Sequence, residues 1–111
     1  MLVGCLAASP PGATTSSAAF GITITTAPGE RLAFEPAETR LAEAGPVEIT
    51  FRNGSSLSHN LTFIGGVNGS TQTIVQQGTT DRLLVVLPTP GAYPFVCTIH
   101  EGMSGRLVVQ G

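Results

Sequence analysis

Gly91-Ala92-Tyr93-Pro94-Phe95-Val96-Cys97 is the stretch from which the fold can be read. Tyr93, Phe95 and Cys97 sit at every second position, and a period of two marks a strand with one face buried. Working outward, the same period recurs in Leu107/Val109, Leu83/Val85/Leu87, Leu61/Phe63, Val47/Ile49/Phe51, Leu32/Phe34 and Ile22/Ile24. Turn-forming residues stand between these runs: Pro28-Gly29, Gly45-Pro46, Asn53-Gly54, Gly65-Gly66, Asn68-Gly69, Pro88 with Pro90-Gly91, and Gly102. No segment keeps a helical period over three turns. The expectation is an all-β chain, a Greek-key β-sandwich of seven to eight short strands spanning residues 21–111.

Composition agrees with that architecture. The chain has 111 residues, one domain by length, with 14 glycines, 8 prolines and only 11 % charged residues. A net charge of −2 without a run of lysine or arginine leaves no electrostatic footprint for nucleic acid. No apolar stretch is long enough to cross a bilayer as a helix.

Residues 1–20 differ from the rest. They carry no charge and are rich in Ala, Ser, Thr, Pro and Gly, the composition of a flexible tether. Within them Leu2-Val3-Gly4-Cys5 resembles a bacterial lipobox, which implies lipidation at Cys5 and a periplasmic or extracytoplasmic domain held at a membrane surface. Only four residues precede Cys5, too few for the charged and apolar regions of a signal peptide, so the match reflects either a truncated start or coincidence. A Cys5–Cys97 disulfide is the plain alternative for the two cysteines.

The chemistry gathers just past the quoted strand. Cys97-Thr98-Ile99-His100-Glu101-Gly102-Met103 presents a thiol, an imidazole and a thioether with two residues between successive donors. A loop of that length can fold all three around one point. With one more histidine they make a trigonal His₂Cys set with a weak axial methionine, which suits copper cycling between Cu(II) and Cu(I). The chain has just one other histidine, His59, in a loop between two strand patterns. The ordinary alternatives are an inert core cysteine for Cys97, a backbone-bonded loop histidine for His59, and a core or surface methionine for Met103.

At these residues the sequence resembles the cupredoxin family of type 1 (blue) copper proteins. Asn53…His59-Asn60-x-x-Phe63 is similar to the family's upstream ligand loop. Gly91-x-Tyr93-x-Phe95-x-Cys97-x-x-His100-x-x-Met103-x-Gly105 is similar to its downstream loop, with the compact spacing of amicyanin. The resemblance implies one copper ion held by His59, Cys97, His100 and Met103, with His59 the buried imidazole and His100 the one near solvent. It also implies that the Asn60 side chain bridges to Cys97–Thr98 and that the Asn60 amide donates to the Cys97 sulfur. Ile99 stands where amicyanin and plastocyanin have proline, and its N–H is an additional donor for that sulfur. By the same resemblance His100 can leave Cu(I) and take a proton, raising the potential as pH falls.

The implied function is non-enzymatic: transfer of single electrons between transient redox partners such as a cytochrome or oxidase, by a monomer. Both histidines are used by one site, so a second copper centre for catalysis has no ligands. Copper buffering and a copper-free structural sandwich are the competing functions. Ile64–Ser70 and Leu87–Gly91 are the loops expected to flank the site. Glu30, Glu35, Glu38, Glu43 and Glu48 are either a docking patch or a solvated face, and Glu101 adjoins a ligand.

Overall fold

Two four-stranded sheets face each other in a computed structural model that describes residues 20–111. The strands are β1 (Phe20–Thr26), β2 (Phe34–Glu35), β3 (Glu38–Leu41), β4 (Gly45–Arg52), β5 (Thr62–Phe63), β6 (Thr80–Leu87), β7 (Gly91–Val96) and β8 (Ser104–Val109). One sheet runs β2-β1-β4-β6 and the other β3-β8-β7-β5. Each is mixed: β1–β4 and β3–β8 pair parallel, and the remaining neighbours pair antiparallel. This is the expected all-β sandwich. The expected tether and lipobox lie outside the described residues, except that Phe20 already belongs to β1.

The period-two residues face inward. Val47, Ile49 and Phe51 of β4 are fully buried, with Val85 and Leu83 of β6 opposite the first two and Ile24 of β1 level with the third. Four aromatic rings bridge the layers. Phe34 meets Phe95 edge-on at 5.0 Å and Phe51 at 6.1 Å, while Phe63 meets Phe95 at 5.5 Å. Burying each contributes roughly 1.5–3 kcal/mol, and together they floor the end of the sandwich where Phe95 leads to Cys97. Gly105 makes room for Phe95: a Cβ there would lie 2.7 Å from both the ring and the Ala37 carbonyl.

The strands depart from the expected pattern at two places. Leu32 does not share a strand with Phe34. It is exposed in a loop tied by Ala27 N to Ala33 O, and β2 spans only two residues. β3 leaves no period in the sequence, because Leu41 is its one buried apolar residue.

Candidate metal centre

β4 delivers the first donor. It ends at Arg52, and Asn53 turns the chain into the loop that carries His59. His59 is then caught in a two-bond bridge: its N–H donates to Val75 O at 3.1 Å, and Val75 N–H donates to its carbonyl at 2.9 Å. The imidazole is 0 % exposed. Burial first, and the neighbouring His100 second, push its pKa below the ordinary histidine value, so the ring stays neutral with a lone pair to offer.

β7 delivers the others. Cys97 follows its last residue, and the chain closes a small loop at once. Cys97 N–H donates to Met103 O at 3.1 Å, while His100 N to Cys97 O (3.5 Å) and Met103 N to His100 O (3.3 Å) close two successive turns inside it. Each two-residue spacing between donors is one of those turns. Gly102, at φ +86°, supplies the left-handed residue the second turn needs before Met103. Cys97 and Met103 are buried at 3 % and 1 % exposure, whereas His100 is half-buried.

The two loops meet. One donor atom each from His59, Cys97 and His100 lie within 4.8 Å of one another, and the imidazole centroids are 4.7 Å apart. His59 Nδ1 stands 3.8 Å from Cys97 Sγ, a separation that one metal ion can span at ordinary metal–sulfur and metal–nitrogen lengths of about 2.3 and 2.0 Å. Met103 lines the same concavity as Cys97 and His100. A buried thiol and two imidazoles beside a thioether are soft and borderline donors, the set that favours copper over hard cations. The residues present therefore fit a single type 1 copper ion.

The surrounding bonds lock one loop to the other on both sides of His59. Asn60 Oδ1 accepts from Thr98 N at 3.1 Å, and Asn60 Nδ2 donates to Thr98 Oγ1 at 2.8 Å and to Thr73 O at 2.9 Å. On the other side, His100 Nε2 donates to Ser58 O at 2.9 Å, which leaves Nδ1 as the ring's lone-pair nitrogen. The expected amide donors to the sulfur are not engaged. Neither Asn60 N nor Ile99 N bonds to Cys97 Sγ among the described residues.

The flanking loops also differ from expectation. Leu87–Gly91 lies at the far end of β7 from Cys97. Ile64–Ser70 runs away from the site as well, with Ile64 N on Pro94 O and Gly66 against the Tyr93 ring. Their place is taken by Thr71–Gln76, stitched to 59–61 through Val75, Thr73 and the Thr71–Leu61 pair. No period or motif marks that segment in the sequence. The acidic residues form no single patch: Glu48 is on one sheet, whereas Glu38 is on the other. Glu38 is paired with Arg106 (2.7 Å) and Arg40 (3.0 Å), the Arg106 hydrogen bond chiefly holding its carboxyl below the usual range. Cys5 lies outside the described residues.

Comparison with known proteins places this architecture. The profile of the cupredoxin-like domain matches residues 1–109. No curated protein sequence matches significantly. Among solved structures, auracyanin A, a "blue" copper protein from the green thermophilic photosynthetic bacterium Chloroflexus aurantiacus, superposes with a TM-score of 0.68 at 22 % identity, covering 81 % of this chain and 98 % of that one. An oxidized amicyanin variant gives 0.59 at 23 % identity, covering 80 % and 81 %. A copper-containing nitrite reductase from Thermus scotoductus gives 0.62 at 19 % identity, covering 82 % of this chain but 27 % of its own. At these identities the likeness is one of fold.

Proposed function

Because the chain belongs to the cupredoxin-like domain family, we propose that it is a small blue copper protein carrying single electrons between redox protein partners, with His59, Cys97, His100 and Met103 as ligands. One observation carries this reading: the only two histidines of the sequence meet at the Cys97 thiol, brought from two distant loops. The ion, when bound, supplies a one-electron Cu(II)/Cu(I) couple. The chain's part is to hold the donors still and exclude water. Strand ends, self-closed turns and the Asn60–Thr98 clasp fix His59 and Cys97 in a dry interior. A site whose donors move little between oxidation states transfers electrons without a substrate pocket.

The surface about His100 is the way in and out. The ring is half-buried, and Ile74 and Ile99, each one residue beyond a residue bonded to Asn60, are 47 % and 39 % exposed. A small, partly apolar contact of this kind suits brief redox encounters. Both histidines are committed to one centre, which favours a carrier over a catalyst with a second copper. No helix among the described residues is long and apolar enough to cross a membrane. We place the domain outside the cytoplasm, as a monomer tethered through residues 1–19 and a lipid at Cys5.

The test is addition of one equivalent of Cu(II) to the purified chain. An intense thiolate-to-copper band in the orange-red, bleached by ascorbate and restored by an oxidant, is the expected result. Pale bound copper without that band would indicate buffering, and no binding would indicate a structural sandwich.

A further inference from the structure

Asn53 touches none of the donors, yet it is wholly buried and every hydrogen-bonding site of its amide is used. Oδ1 accepts from Thr26 Oγ1 at 2.8 Å and Ser55 N at 2.9 Å, and Nδ2 donates to Leu57 O and Val75 O, both at 2.8 Å. An asparagine amide has two donors and two lone pairs to satisfy, and no atom of this one is spare. Its partners lie in three separate segments: the end of β1, its own loop, and the Thr71–Gln76 segment.

Two of those bonds reach the backbone segments that hold the two histidines. Val75 O, which takes one Asn53 proton, also takes the His59 backbone proton. Leu57 O, which takes the other, lies one residue before the Ser58 carbonyl that receives His100 Nε2–H. Thr26 Oγ1 extends the hold by accepting from Gly54 N at 3.0 Å and Ser55 N at 3.1 Å. We propose that Asn53 is the positioning residue of the centre, shaping the 53–59 loop so that His59 is pinned by its backbone and His100 is fixed by Ser58 with its proton on Nε2. Removing the Asn53 amide takes that donor from Val75 O in the interior and from Leu57 O in a half-buried place, which favours rearrangement of the loop.

The inference deepens the copper reading but is tested without copper. In the metal-free chain, at a pH where both rings are neutral, nitrogen NMR of His100 is expected to show a protonated Nε2, a bare Nδ1 and a slowly exchanging Nε2–H. In Asn53→Ser that proton should exchange faster by about fivefold to tenfold, the factor that one lost hydrogen bond corresponds to, and the single tautomer should give way to a mixture. Val85→Ala, a core truncation farther along the strands, controls for general loosening and should leave the tautomer fixed. If Asn53→Ser does not fold, Thr26→Val removes the hydroxyl anchoring Asn53 and should act in the same direction. The proposal is overturned by a mixed or Nδ1-protonated His100 in the unaltered chain. It is equally overturned by unchanged exchange in the variant, or by Val85→Ala matching its effect. Failure to form a blue site with copper while these results hold would refute the carrier reading alone.

Discussion

The two ligand loops solve one problem in opposite ways. The downstream loop, Cys97–Met103, contains three sulfur or nitrogen side chains and closes on itself through bonds among its own residues. The upstream loop contributes one imidazole and depends on residues far away: Thr26, Gly29, Val75 and, through Asn60, Thr73 and Thr98. A self-closed loop can be altered at a donor without collapsing. A loop held by distant partners transmits damage from positions that never approach the metal. The lesson is that donor spacing accounts for half the site, and buried amides account for the other half.

The largest effect should come from the downstream donor itself. Cys97→Ser replaces the thiolate with a hydroxyl, a poor ligand for this metal, and absorption spectroscopy of the copper-loaded variant should show complete loss of the intense band while the metal-free fold persists in circular dichroism. Retention of the band would mean that the sulfur is not a ligand. Next comes the bridge between the loops. Asn60→Ala removes the acceptor for Thr98 N and the donor to Thr98 Oγ1 and Thr73 O, and should cost about 1–3 kcal/mol in denaturant unfolding. Copper affinity should fall by about 10- to 100-fold, as when partners of metal ligands are removed. Affinity unchanged beside lowered stability would show the clasp to be structural only.

Gly105→Ala probes the floor of the site rather than its rim. A Cβ 2.7 Å from the Phe95 ring and from the Ala37 carbonyl forces one of them to move. Overpacking should cost about 1–3 kcal/mol, read as a fall in thermal midpoint. An unchanged midpoint would mean that this end of the sandwich is looser than the packing indicates.

The smallest effect is on pH. His59 is held below the ordinary histidine pKa of about 6.5, so the unfolded chain binds a proton there that the folded chain refuses. The metal-free protein should be at full stability above that value and lose some as pH falls from it toward the folded pKa. A His59→Gln variant should flatten the slope, and an identical slope in both would assign it to other groups.

Much of this was legible in the sequence. Strand after strand announced itself by alternation, because a sheet with one dry face must place apolar side chains at every second residue, as Val47, Ile49 and Phe51 do. The downstream loop was legible because its bonds are local, and local spacing is what a sequence displays. Thr71–Gln76 was not, since its fold comes from pairing with His59 and Leu61, and nothing in Gln72-Thr73-Ile74 announces that partnership. β3 escaped for a related reason: its pairing with β8 crosses most of the chain, and only Leu41 is deeply buried. Ile64–Ser70 and Leu87–Gly91 turn away from the site although the sequence does not reveal it, because a sequence shows that loops join strands, not at which end of the sandwich they do so.

A crystal structure of the chain loaded with one equivalent of copper tests the convergence of the two loops most directly. A lone ion within bonding distance of His59 Nδ1, Cys97 Sγ and His100 Nδ1, with the Met103 sulfur farther off, is the result predicted. Copper bound elsewhere, or a centre completed without the His59 imidazole, would contradict it.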